Sequence, residues 1–383
     1  MKINEIIVEH KKRPTFKLNE VGMAHAEDII FYEGSAGALR VINSLKTLPN
    51  TRDTGLTIKW DGKVAIFAGR DENGDFIMTD QTGWGAIGYN GKYKSADEFL
   101  KQKASKGGDV NGEFLSGIKA LWPIIEAAFP RSYKGFVKGD VMWFPGKLQD
   151  NGKSWVFKPG TTTYEIDKST ELGHRIGQGK AGFAVHGFCP TTKDIEPTPL
   201  KTTAGLNVNG DLCVLGPEIK VDGDVQMDKN KFKQVSDFVR KNAKVIDAFL
   251  NVEALTENGM LSLPRVMQTF VNQQTAARDL ENLDGKFAAW VQQNPKLSKP
   301  MVAKFLNYIK ANSAGLATIF RVFEAITHLK VDIVSQLDTG NQGKVYAHIN
   351  GERGGEGYVL YDEGGYIKLV NRLHFSAANF GNH

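Results

Sequence analysis

Val64-Ala65-Ile66-Phe67-Ala68-Gly69-Arg70, then Asp71-Glu72-Asn73-Gly74-Asp75, then Phe76-Ile77-Met78 is the stretch on which the fold reading turns. Two runs rich in β-branched and aromatic residues flank an Asn-Gly pair. That is a strong hairpin signal, because both turn positions favour positive φ. Working outward, similar runs recur at 135–144, 154–158, 182–188 and 212–221, with helical spacing near 95–105 and 116–128. The texture from 51 to 227 therefore predicts a mixed, mainly antiparallel sheet. It returns near the end of the chain, in Val345-Tyr346-Ala347-His348-Ile349, Tyr358-Val359-Leu360-Tyr361 and Tyr366-Ile367-Lys368-Leu369-Val370.

Between these β regions glycine is scarce, and apolar residues fall on helical faces. Phe232, Val235, Val239, Ile246 and Phe249 form one such face, Val302, Phe305, Leu306 and Ile309 a second, and Leu316, Ile319, Phe320, Phe323 and Ile326 a third. Residues 228–335 read as a helical module inserted into a sheet domain. Upstream, Glu27-Asp28-Ile29-Ile30-Phe31 and Ala38-Leu39-Arg40-Val41-Ile42-Asn43-Ser44-Leu45 are helical in spacing, with Gly34 and Gly37 as a break. The expected class is α+β, in four parts: a helical extension (1–50), a first sheet portion (51–227), an all-helical insertion (228–335) and final strands (336–383).

Composition narrows the function. With 41% hydrophobic and 24% charged residues over 383 positions, the chain is an ordinary globular sequence and not a disordered one. No apolar run reaches the ~18 residues of a membrane span. The opening segment carries no secretory signal pattern. Cys189 and Cys213 are the only cysteines, and no Cys or His falls at zinc-ligand spacing, so neither a disulfide framework nor a structural zinc site is expected and a reducing cytoplasm is the expected compartment. The net charge of +5 is compatible with nucleic-acid binding. Residues 131–180 concentrate it, with nine Lys or Arg against five acids. Trp143, Phe144, Trp155 and Phe157 lie there and could pack on sugar or base, or fill a sheet core.

Three segments carry chemistry. Thr57-Ile58-Lys59-Trp60-Asp61-Gly62-Lys63 sits where a strand begins, and on an extended backbone Lys59 and Asp61 point the same way. A lysine aimed into a site becomes a nucleophile when desolvation or nearby positive charge lowers its pKa. Gly355-Glu356-Gly357-Tyr358-Val359 encloses an acid between glycines at the head of an apolar strand. Gly365-Tyr366-Ile367-Lys368-Leu369 then interrupts an apolar strand with a lysine. Two adjacent antiparallel strands would bring Glu356 and Lys368 to one end of a sheet.

In this order, KWDG (59–62), EGYV (356–359) and the lysine strand (367–370) resemble the covalent nucleotidyltransferase superfamily of ATP-dependent DNA ligases, RNA ligases and mRNA capping enzymes. The resemblance covers the β portions. It implies a ligase-type nucleotidyltransferase domain, here without a C-terminal OB domain, since thirteen residues follow Val370. Lys59 would then attack the α-phosphorus of ATP and hold AMP as a phosphoramidate, with Asp61 in support. Asp140, in Phe136-Val137-Lys138-Gly139-Asp140, would bind ribose or metal, where the family usually has Glu. In Phe183-Ala184-Val185-His186, either Phe183 or His186 would stack on the purine. Glu356 and Asp140 would hold Mg2+, and Lys368 would neutralise the α-phosphate. Ile58 and Gly62 would complete the nucleotide site.

Two departures stand out. The Ser-Arg-x-Gly turn of the ligases reads Thr79-Asp80-Gln81-Thr82-Gly83 here, leaving Arg70 as a distant substitute. The final Lys-x-Lys is reduced to Lys368, with Arg372 as a stand-in. The expected activity is ATP-dependent joining of 5′-phosphate and 3′-hydroxyl ends, in DNA or RNA, by a monomer acting on nicked duplexes or single-stranded ends. The alternative is a non-catalytic nucleic-acid-binding protein on a degenerate ligase fold.

Overall fold

The structure is a computed structural model and describes residues 24–49, 55–62, 64–85, 93–105, 112–194, 197–200, 202–208, 210–216, 225–340, 345–349, 352–353, 357–362 and 364–372. It is an α+β protein. The first described elements are strand β1 (Ala24–His25), helix α1 (Ile29–Leu45) and strands β2 (Leu56–Ile58), β3 (Val64–Arg70) and β4 (Phe76–Asp80). Helices α2 (Gln81–Trp84), α3 (Ala96–Ser105) and α4 (Gly112–Ala128) follow. Next come β5 (Gly135–Trp143), β6 (Gln149–Asp150), β7 (Ser154–Phe157), β8 (Thr162–Asp167), α5 (Glu171–Gln178), β9 (Ala181–Cys189), β10 (Thr198–Pro199) and β11 (Leu212–Leu215). The helical run is α6 (Lys229–Phe249), α7 (Val252–Glu257), α8 (Leu263–Ala276), α9 (Leu283–Gln293), α10 (Lys299–Ala311) and α11 (Ser313–Gly340). Strands β12 (Val345–Ile349), β13 (Glu352–Arg353), β14 (Tyr358–Asp362) and β15 (Gly365–Leu369) close the described chain.

The chain forms two compact units. One combines the described residues up to Ile42 with Asn230–Thr327, and the other combines Asn43–Lys229 with the described residues from His328 onward. In the first, α1 kinks at Gly34 (φ 60°, ψ −145°). The amide and hydroxyl of Ser35 donate to the Asp247 carboxylate at 2.8 and 2.7 Å, which fixes the kink. Gly37 lies within the helix and breaks nothing. Phe31 stacks on Phe323, and Phe320 meets both Phe270 and Phe287 edge-to-face, with those two rings tilted against each other.

In the second unit, the central sheet runs β10-β9-β5-β3-β4, with β11 added parallel to β9. The β3–β4 hairpin differs from the sequence reading in its turn. Among its residues only Gly74 takes positive φ (82°), because the loop has three residues and the Asp71 carboxylate closes it by accepting from the Asn73 and Asp75 amides. One sheet face is covered by α4. Ile118, Leu121, Trp122 and Ile125 pack on Ile66, Ala68, Val137, Val141, Phe183 and Val185. Strand alternation sends Phe67, Phe136, Lys138 and Asp140 to the other face.

A second sheet runs β13-β12-β8-β7-β6. In a third, β14 pairs antiparallel with both β2 and β15. Strands before and after the helical run thus share sheets, β8 with β12 and β2 with β14.

Candidate functional site

The β2–β3 connection carries Lys59, Trp60, Asp61 and Gly62. The Lys59 amide donates to Gly357 O (3.0 Å), continuing the β2–β14 ladder for one residue. Gly357 adopts φ 93°, and a Cβ there would lie 2.2 Å from Leu369 O, so that position tolerates only glycine. The Trp60 ring lies against Tyr164, 5.2 Å between centroids, and the Asp61 amide donates to the Tyr164 hydroxyl (3.0 Å). Lys59 Nζ and Asp61 Oδ2 are 3.7 Å apart, with the lysine side chain 15% exposed and the carboxylate 44%. Gly62 passes over β5 so closely that a Cβ would meet Asp140 Cβ and Val141 O, each at 2.6 Å. Its amide donates to the Asp140 carboxylate.

Asp140 is opposite Ala65 on β3 and Ala184 on β9. Ala184 is 3% exposed and belongs to the core that holds Trp143, Phe157 and Tyr164, so Asp140 stands at the edge of that core. The β5–β9 register shifts between Lys138 and Gly139: Lys138 pairs with Gly187, Gly139 with Val185, and His186 is the extra residue of a β-bulge. A bulge re-aims a side chain without ending a strand. Here it sets His186 between the rows of Lys138 and Asp140.

Electrostatics tie these groups together. Burial and then the Asp61 carboxylate push Asp140 up to about 6, against the Gly62 amide and the Lys138 and Lys59 cations. Burial and then Lys138 and Lys59 drive His186 down to about 4, so its imidazole is neutral near pH 7. One small region therefore holds two lysines, two carboxylates and a neutral ring.

Lys368 sits on β15 opposite Val359, which is opposite Thr57 on β2. Directly opposed residues share a sheet face, and Lys59 is two positions beyond Thr57, so Lys59 and Lys368 belong to one face of the third sheet. At standard strand spacing their Cα atoms are separated by about 12 Å. Ile58 pairs with Tyr358 on the same strand as Thr57. Glu356 lies outside the described residues, as does Lys63. Among the described residues no group of three or more His, Cys, Asp or Glu forms a metal site. Asp61 and Asp140 are near enough to influence each other electrostatically, and their oxygens are of the type that could hold a hard cation.

Several expected residues sit elsewhere. Phe183 pairs with Val141, shares its face, and is 1% exposed in the core under α4. Moving that ring to Asp140's face would forfeit about 1.5–3 kcal/mol of burial. Of the two aromatic candidates, His186 is the one on Asp140's face. Arg70 is no substitute for the missing turn arginine. It is buried and donates to Phe129 O (2.7 Å) and Gly74 O (2.9 Å), bracing the hairpin. In the turn itself, Asp80 accepts from the Gly83 amide (2.7 Å) and pairs with Lys103 (2.9 Å), and its β3 partner, Ile66, belongs to the helix-covered face. Arg372 is 2% exposed. Of the basic-stretch aromatics, Trp143 and Phe157 are core residues, Phe144 packs on Phe114 and Gly117, and Trp155 lies under Lys168 Nζ at 4.2 Å.

Lys138 and Tyr164 entered no site reading from the sequence. Lys138 was legible, since it stands two residues before Asp140 on one strand. Tyr164 was not, because its strand is a hundred residues from the loop it supports.

Residues 21–383 match the profile of DUF6267, a family of unknown function, and the chain belongs to that family. No curated protein and no solved structure matches it. No helix among the described residues is long and apolar enough to cross a membrane.

Proposed function

We propose that this chain is an ATP-dependent polynucleotide ligase working through a covalent lysyl-AMP intermediate. The observation that carries this reading is convergence: Lys59 and Asp61 from the β2–β3 connection meet Asp140 of β5 and His186 of β9, while β15 carries Lys368 on the sheet to which β2 belongs. Binding alone requires no lysine held beside a carboxylate.

In the first step the Lys59 amine, having lost its proton, attacks the α-phosphorus of ATP. The bond to the bridging oxygen breaks and pyrophosphate departs. A 5′-phosphate oxygen of a nucleic-acid strand then displaces lysine from the AMP. Finally a 3′-hydroxyl attacks the activated 5′-phosphorus and AMP leaves. The chemistry concentrates negative charge, so positioning and neutralisation dominate. Asp61 orients Lys59, the neutral His186 ring offers a stacking face to the purine, and Lys368 supplies a fixed cation for the α-phosphate. Magnesium takes oxygen from one or two carboxylates plus phosphates and water, and Asp140 with Asp61 fits that donor set. When bound, the ion would neutralise phosphate charge. Cytoplasmic action on DNA or RNA ends belongs to this reading.

The second reading, nucleic-acid binding without turnover, is favoured by one feature: the arginine expected in the 79–83 turn is replaced by an acid already paired with Lys103. Incubation with α-labelled ATP or GTP and magnesium, followed by denaturation, separates the two. Acid-labile label on the protein, absent in Lys59→Ala, is the expected result. No label with either nucleotide eliminates the ligase.

A further inference from the structure

Lys138 stands apart from the other charged groups of the site. It is half-buried. Its neighbours across the sheet are Phe67 on β3 and Gly187 on β9, and its ammonium lies 5.6 Å over the Phe67 ring. Among the described residues no carboxylate comes within ion-pair distance of it, whereas Lys59 has Asp61. Yet its charge reaches both Asp140 and His186. An ammonium drawn partly out of water without an anion is unfavourable, and an aromatic face replaces only part of the lost hydration. A strand position, a flanking ring and a bulge on the neighbouring strand fix its stem, so the cation is pre-organised. It shares Asp140's face of the sheet, two positions away on the same strand. Arg70 cannot supply a cation there, because its guanidinium donates to the Phe129 and Gly74 carbonyls.

We infer that Lys138 is a phosphate-binding residue of this site, holding an anionic phosphate oxygen of the nucleotide or of the nucleic-acid strand that receives it. The inference rests on the nucleotidyl-transfer reading for its substrate but adds a residue that reading does not use. Losing a charge-assisted hydrogen bond of this kind weakens binding by about 10- to 100-fold.

The test uses the full chain with Lys138→Met, which keeps the stem over Phe67, and Lys138→Arg, which keeps the charge. Circular dichroism confirms that both fold. In one arm, initial rates of labelling by α-labelled ATP give KM and kcat separately. In the other, adenylylated protein is offered a 5′-phosphorylated strand. A KM for ATP raised tenfold or more in Lys138→Met and largely restored in Lys138→Arg assigns the nucleotide's phosphate. Normal labelling with lost transfer to the strand, again restored by arginine, assigns the strand's phosphate. Lys138→Met matching the parent protein in both arms overturns the inference, and so does equal damage from methionine and arginine. If the parent protein takes no label, equilibrium dialysis with labelled ATP decides the matter. Retention that depends on Lys138 sinks the transfer reading and keeps the phosphate site, while no retention overturns both.

Discussion

His186→Phe and Asp140→Asn, compared across pH, probe the electrostatics of the site. In an unfolded chain Asp140 titrates near 3.8 and His186 near 6.5; in the folded protein they move to about 6 and about 4. Between pH 4 and 6, folded Asp140 keeps a proton that the unfolded chain has released. Over the same range the unfolded chain holds a His186 proton that the folded protein lacks. Asp140's contribution to stability is present at low pH and lost as pH rises through about 6. That of His186 is present above 6.5 and lost as pH falls toward 4. Each shift is worth about 3 kcal/mol at 1.36 kcal/mol per unit, and the two oppose each other. The parent protein should therefore show almost no net slope from this pair. His186→Phe should lose about 3 kcal/mol between pH 4 and 7, and Asp140→Asn should gain about the same. Urea unfolding in EDTA, followed by tryptophan fluorescence, measures this, because Trp60, Trp84, Trp122, Trp143 and Trp155 all lie in the unit that holds the site. Slopes of the same sign in the two variants would refute the reasoning.

Gly62→Ala forces a methyl group into Asp140 and the Val141 carbonyl. It should cost about 1–3 kcal/mol in denaturant titrations and slow self-labelling at unchanged protein concentration. Arg70→Met strands the Phe129 and Gly74 carbonyls, so about 2–3 kcal/mol of stability should disappear while the KM for ATP stays put. A raised KM would put Arg70 back in the site. Lys368→Ala should lower the labelling rate by on the order of a hundredfold, measured under single turnover, with ATP affinity much less affected. Unchanged labelling would remove Lys368 from the chemistry.

The strands were legible where two-residue alternation met turn residues, as in β3, β4, β5 and β9, and the helices where apolar spacing was regular, as in α6 and α11. Lys59 and Asp61 were legible too, because they sit two apart in a short segment. The facing of the aromatics was not. Phe183 and His186 are three apart, and which one shares Asp140's face depends on the parity of β9 against β5 and on a bulge that no local pattern announces. Arg70 misled for a related reason: a charged residue in a hairpin reads as available, whereas its acceptors are the carbonyls of Phe129, nearly sixty positions away, and Gly74. Long-range carbonyl acceptors leave no trace in side-chain spacing. The grouping of the described residues before Ile42 with the helices from Asn230 was equally hidden, since it depends on burying Phe31 against Phe320 and Phe323.

The most direct measurement is tandem mass spectrometry of the intact protein after incubation with ATP and magnesium. The account predicts one AMP per chain, carried on the Lys59 side chain and removed by added pyrophosphate. An unmodified chain, or an adduct confined to another residue, would contradict it.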